Sequence, residues 1–195
     1  MSDTSLRLLA VGAIVAPALH TLTDALEWVQ GGFSGTQLIL NYLAFLPVPV
    51  LMAGLFAVQR PRISLLGLAG ALLYGFAFIY FAHTTFLALE TGTPTYEQLW
   101  AHLGWPYTLH GGIMVAGGFA FGLATLSACV LPRWTAWLFL LGNAFNLILA
   151  FIAVPELLQT VGTLLRNAGL MGMGYALLRP SPPMPVSALA ERNAA

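Results

Sequence analysis

An all-α, polytopic membrane helix bundle of about six transmembrane helices, with both termini cytoplasmic, is the fold class this sequence predicts. Three observations predict it. Of 195 residues, 58% are hydrophobic and only 7% charged, whereas a soluble domain of this size carries about 25% charged residues. Polar or turn-forming breaks divide the chain into six apolar stretches, each near the ~20 residues that cross hydrocarbon as a helix. The arginines outside those stretches all fall on one side if six helices alternate in direction.

The stretches run roughly 6 to 29, 36 to 58, 64 to 90, 107 to 131, 134 to 154 and 156 to 178. Helix is expected because lipid offers the backbone no hydrogen-bond partners, and a membrane barrel would show alternating segments of about ten residues. The first stretch has Arg7 at its start and ends before Gly31-Gly32. Arg7, the apolar run and Ala16-Pro17-Ala18 loosely imitate a signal peptide. The polar stripe described below continues through that point, which favours a retained span. The second stretch contains Pro47 and Pro49, which should kink it near mid-membrane and free backbone carbonyls. The third follows Arg60-Pro61-Arg62 and ends before the long Thr91 to Pro106 connection. The fourth holds Gly111, Gly112, Gly117, Gly118 and Gly122, in which Gly118 and Gly122 form a small-xxx-small pair suited to close helix packing. Pro132-Arg133 separates the fourth from the fifth, and Pro155 the fifth from the sixth. One transmembrane domain thus covers 1–179. The segment 180–195, with Pro182, Pro183 and Pro185, reads as a disordered cytoplasmic tail.

Orientation follows from Arg7, Arg60, Arg62, Arg133, Arg179 and Arg192, since short cytoplasmic loops accumulate positive residues. The opposite loops hold Glu90, Glu97 and Glu156 with Tyr96, Trp100, Trp105 and Tyr107, as an interfacial aromatic belt would. The expected location is the inner (plasma) membrane of a bacterium. A net charge of zero and the absence of lysine leave no basic patch for nucleic acid. The single cysteine, Cys129, excludes an internal disulfide and cysteine-based metal sites.

Ionisable residues inside spans are costly and usually face the bundle interior. His20, Asp24 and Glu27 stand at i, i+4 and i+7 on one stripe of the first helix, continued by Pro17, Ala16 and Ala13, opposite a lipid-facing stripe of Val11, Val15, Ala18, Leu22, Leu26 and Val29. His83 and Glu90 share a stripe of the third helix with Phe76 and Tyr80. His110 opens the fourth span. Arg166 lies near the middle of the sixth on a stripe of Gln159, Thr163, Leu170 and Met173, and needs a carboxylate, an anionic ligand or several carbonyls as company. Asp24 is the expected partner, with Glu27 second. Asn143 and Asn146 on the fifth helix lie at similar depth.

These residues suggest an ionisable pocket in the outer half of the bundle, in an enzyme or binding protein for a hydrophobic, lipid or isoprenoid-like molecule. As an enzyme of isomerase, cyclase or hydrolase type it would use Asp24, Glu27, His20 and His83 as acids and bases. Arg166, Asn143, Asn146, Tyr80 and Phe76 would bind the substrate. His20, Asp24, His83 and His110 also offer zinc or iron an imidazole and carboxylate set, and haem with histidine ligands is a weaker variant. A proton- or ion-coupled transporter and a non-catalytic sensor or assembly subunit are the alternatives from other classes. Membrane lipids are the expected partners, and self-association stays open. No motif of the GxGxxG, Walker, GxSxG, CxxC or HExxH type is present to fix a reaction.

Overall fold

A computed structural model describes residues 2–149, 152 and 156–179. Pro155, the end of the fifth stretch and the 180–195 tail lie outside those residues. The described chain forms eight helices: α1 (Asp3–Gln30), α2 (Gly35–Phe45), α3 (Val48–Ala57), α4 (Leu65–Thr91), α5 (Tyr96–Leu103), α6 (Trp105–Ala128), α7 (Arg133–Leu149) and α8 (Glu156–Leu178).

Local chemistry accounts for the ends. The Ser2 hydroxyl accepts from Ser5 N at the start of α1, and Gly31 takes the left-handed conformation at its end, its N–H returning to the carbonyls of Glu27 and Trp28. Ser34 and Thr95 cap α2 and α5 in the same way. Each hydroxyl satisfies a donor that the first helical turn leaves without a partner. The second apolar stretch, expected as one kinked span, is two helices because Pro47 and Pro49 interrupt it: neither supplies an N–H, and α3 starts from Pro47 as its cap. The long connection contains a helix that the reading above did not anticipate, α5, in which Trp100 Nε1 donates to Thr108 Oγ1 on α6 at 3.0 Å.

With α2 and α3 taken as one bent rod, six rods close into a ring in chain order. α1 packs on α2 and α3, these on α4, α4 on α6, α6 on α7, α7 on α8, and α8 back on α1. Glycines set the closest crossings. A Cβ on Gly70 would meet the Phe121 backbone N and the carbonyl of Gly117, which lies 2.8 Å away, while one on Gly117 would meet Tyr74 N at 2.6 Å. α4 and α6 therefore touch backbone to backbone. Gly118 and Gly122 face the next neighbour instead, lying against Asn143 and against Leu140 and Phe139 of α7.

Four segments are long and apolar enough to cross a membrane: Asp3–Gln30, Gly35–Ala57, Leu65–Thr91 and Trp105–Ala128. Exposed arginines gather at one end of the ring, at Arg7, Arg60, Arg62, Arg133 and Arg179, and exposed Glu90 and Glu97 at the other. Between those ends the outer surface is apolar, with Val15, Leu22, Val50, Leu72, Ile79, Leu123 and Leu141 exposed. That distribution suits lipid around the ring and water at its two ends.

Candidate functional site

Toward the arginine end the interior is apolar, packed with Ala10, Ala13, Met52, Leu55, Ala71, Phe121, Phe139 and Met173. Among the described residues it is interrupted by Gln59, whose Nε2 donates to Thr125 Oγ1 at 3.2 Å, and by Thr135, whose hydroxyl donates to Pro132 O. Nearer the acidic end the interior turns polar. His20 on α1 is buried, and its Nε2 lies 3.5 Å from Asp24 Oδ1 one turn further along. The α1 stripes follow the expected division: Ala13, Ala16, Pro17 and His20 are buried, and Val11, Val15, Ala18, Leu22 and Val29 exposed. Asp24 and Glu27 are half-buried. Thr23 joins α1 to α2 by donating to Asn41 Oδ1 at 3.0 Å, and Asn167 on α8 donates to Thr21 Oγ1 at 3.0 Å.

Arg166 is 3% exposed. Its Nη1 reaches Met114 Sδ at 3.2 Å and donates to the Asn146 side-chain oxygen at 3.1 Å once that amide is turned to satisfy both its ends. The guanidinium carbon also stands 5.8 Å from the Phe78 ring centroid, near enough for a cation–π attraction. Among the described residues no ion pair within 4.0 Å joins Arg166 to Asp24. The guanidinium is nevertheless near enough to act electrostatically on both Asp24 and His20, and Thr163, one turn before Arg166, lies close to the Asp24 carboxylate. The expected partnership is thus one across a gap. Among the described residues Arg166 Nε, Asn143 Oδ1 and Tyr74 OH are buried without a hydrogen-bond partner, although Asn143 Nδ2 donates to Phe139 O at 2.8 Å. A void of about 10 Å³ lies between α1, α2, α4 and α8, bounded by His20, Tyr74 and Asn167 among others, about the space one water needs.

Phe45 and Phe78 form the wall of this chamber. Their rings are 5.1 Å apart and edge-to-face, and His20 meets Phe45 at 4.6 Å and Phe78 at 6.0 Å in the same arrangement. On the far side of those two rings, where Leu46 and Pro49 mark the break between α2 and α3, a lateral groove of about 280 Å³ opens between that bend and α4. Tyr42, Ile79, Ala82, His83 and Phe86 complete its lining. Gly75 lets α4 approach the bend, since a Cβ there would stand 2.9 Å from Pro49 Cα.

The anticipated site residues therefore separate into two groups. His20, Asp24, Arg166, Asn143 and Asn146 share the interior. Phe76 and His83 are exposed and Tyr80 half-buried, on the outward face of α4. There Tyr80 stacks on His110 at 3.8 Å between centroids, with Phe76 at 5.6 Å from the same imidazole. His110 Nδ1 hydrogen-bonds Pro106 O at 2.7 Å. Because α4 is apolar all round, periodicity could not choose its inner face. Tyr74, Ala77, Phe78, Phe81 and Ala82 occupy that face, which turns the Phe76, Tyr80 and His83 stripe outward. His20 and Asp24 are thereby divided from His83 and His110. Among the described residues no group of three or more His, Cys, Asp or Glu comes close enough to hold a metal ion, so the four-residue set anticipated for zinc or iron is not assembled.

At the acidic end α5 lies over the chamber. Phe33 N donates to Pro94 O at 2.7 Å, tying the α1–α2 turn to the segment that leads into α5. Tyr96 packs edge-on against Tyr107 at 5.7 Å. Burial pushes the Tyr96 hydroxyl above its ordinary value of 10.0; the negative charges of Glu27 and Asp24 push the same way, and a hydrogen bond with Tyr107 opposes them.

Comparison with protein-family models, curated proteins and solved structures finds no match. The geometry of the site is what bears on function.

Proposed function

We propose that the chain is a six-crossing protein of a bacterial plasma membrane, with its arginine-bearing end in the cytoplasm, and that it binds a hydrophobic molecule entering sideways from the outer half of the bilayer. The observation that supports this is the shared wall of Phe45 and Phe78. Both rings line the lateral groove, both stand edge-to-face with His20, and the guanidinium of Arg166 lies over Phe78. A ligand in the groove would thus touch rings that also touch the polar interior. Arg166, Asn143 and Asn146 would hold that chamber's geometry, and His20, Asp24 and Glu27 would be its acids and bases.

The contact between His20 and Asp24 favours a second reading, acid/base turnover of the bound molecule, because an imidazole oriented by a carboxylate is a proton donor or acceptor of fixed direction. Zinc or iron assistance has less support, since no metal-ligand cluster forms among the described residues. A transport path has less support too, since the described polar interior thins to Gln59, Thr125 and Thr135 toward the arginine end.

The test is extraction. Protein purified in mild detergent is analysed by native mass spectrometry for co-purifying apolar compounds, beside an Ile79→Trp variant that fills the groove from its exposed edge. A compound held by the wild type and absent from the variant is expected. Identical compound profiles from both would end the reading.

A further inference from the structure

Resting on the reading that the groove takes a hydrophobic molecule, we propose that its occupant is an apolar-tailed compound whose head is a neutral, flat ring carrying carbonyl or hydroxyl groups. The groove is walled by aromatic faces and edges: Tyr42, Phe45, Phe78, Phe86 and the imidazole of His83. Rings offer a flat guest offset-stacked and edge-on contacts that a flexible alkyl chain does not match. Among the described residues no acid, arginine or lysine lines the groove, so a charged head would lose its hydration there with nothing to replace it.

Two polar groups face the groove without work to do in the fold. Among the described residues neither the Tyr42 hydroxyl nor the His83 ring nitrogens has a hydrogen-bond partner; their recorded contacts are ring contacts, with Phe86 at 5.7 Å and Tyr80 at 6.4 Å. They come from opposite walls, α2 and α4. Each lies about 10 to 12 Å inward from its helix's acidic-side end at 1.5 Å rise per residue, a depth where water does not replace a missing partner. A ring bearing oxygens at its edge satisfies both. The volume, about 280 Å³, sits at the small end of ligand sites, which run to about 1,000 Å³. That is room for a ring and not for a whole lipid, so the tail lies along the exposed flank of Leu46 and Ile79.

Binding to the full chain in lipid nanodiscs tests this with three probes: a decyl-tailed benzoquinone, decanol and phosphatidylglycerol. Ile79→Trp and Leu46→Trp serve as groove-filling variants, both at positions whose side chains are about half exposed and so have little core packing to lose. The benzoquinone should bind one per chain, at least tenfold more weakly in each filled variant and roughly fivefold more weakly in His83→Leu, the loss of one hydrogen bond. Decanol binding as tightly as the benzoquinone, with both lost on filling, overturns the ring assignment and leaves the groove reading standing. Phosphatidylglycerol binding more tightly than either overturns the neutral head. If filling the groove changes the retention of none of the three, the groove reading itself falls.

Discussion

The Asp24 carboxylate lies 3.5 Å from the imidazole of His20, one helical turn deeper on the same stripe of α1, while the guanidinium of Arg166 acts on it across a gap, with no ion pair within 4.0 Å among the described residues. A buried charge without a direct partner persists only when the surrounding dipoles or an opposite charge compensate for lost hydration. Asp24 and Arg166 supply that compensation to each other at a distance.

Arg166→Met and Asp24→Asn should therefore each destabilise the protein in detergent, by about 1–3 kcal/mol, less than the rupture of a direct buried pair. The double variant should lose less than the sum of the singles by at least ~0.5 kcal/mol, because removing both charges leaves neither uncompensated. Unfolding followed by circular dichroism checks this, and strictly additive losses would show that the two charges do not sense each other.

Glycine positions give a prediction of opposite signs. Gly70→Ala should cost about 1–3 kcal/mol, since the new methyl meets the Phe121 backbone N and the Gly117 carbonyl, neither of which can move aside. Gly111 has nothing within 4 Å of its would-be Cβ, so Gly111→Ala should be neutral or stabilising by up to ~1 kcal/mol through helix propensity. Thermal unfolding of the two variants side by side separates packing glycines from tolerated ones. The result fails to support backbone contact between α4 and α6 if both variants behave alike.

Residues on helices with one polar stripe were legible from sequence, and those on helices without one were not. α1 and α8 each carry a run of small or polar side chains against an apolar back, so the inward placement of His20 and Arg166 follows from the 3.6-residue period. α4 has no such contrast. Its inner face was decided by Gly70 and Gly75, which let α6 and the α2–α3 bend approach on two sides. That choice carried Phe76, Tyr80 and His83 outward. Pro47 and Pro49 announced the break between α2 and α3. The groove it opens depends on which helix lies opposite, a fact about neighbours that a single sequence does not contain. Asn41, Thr23 and Tyr74 were missed as members of the polar interior, although Asn41 and Tyr74, polar groups within otherwise apolar stretches, were the signals available.

Raising the pH should loosen the cover formed by α5. Burial and the nearby acids hold the Tyr96 hydroxyl protonated beyond its ordinary value of 10.0, whereas in the unfolded segment it ionises near that value. The stabilisation is fully present below pH 10 and declines as pH climbs from there through the folded value, because only the unfolded form then releases its proton. Protection against hydrogen exchange across 96–103, taken relative to the base-catalysed intrinsic rate at each pH, should fall above about pH 10 in the wild type. Tyr96→Phe should flatten that dependence, and an equally steep fall in the variant would assign it to another group.

Cys129 gives the native chain a built-in probe of orientation. It is the single cysteine, is exposed, and ends α6 beside Arg133, at the arginine end of the ring. If short positive loops stay in the cytoplasm and six rods alternate, a membrane-impermeant maleimide should leave Cys129 unlabelled in intact cells and label it in inverted vesicles. A Cys129→Ser, Glu97→Cys variant should show the reverse pattern, since exposed Glu97 on α5 lies at the opposite end. Both positions labelling from the same side would mean an odd number of crossings between α5 and the α6–α7 turn is not present. The ring would then lie in the membrane in some way other than spanning it, and the lateral entry of a ligand from the outer half would lose its geometry.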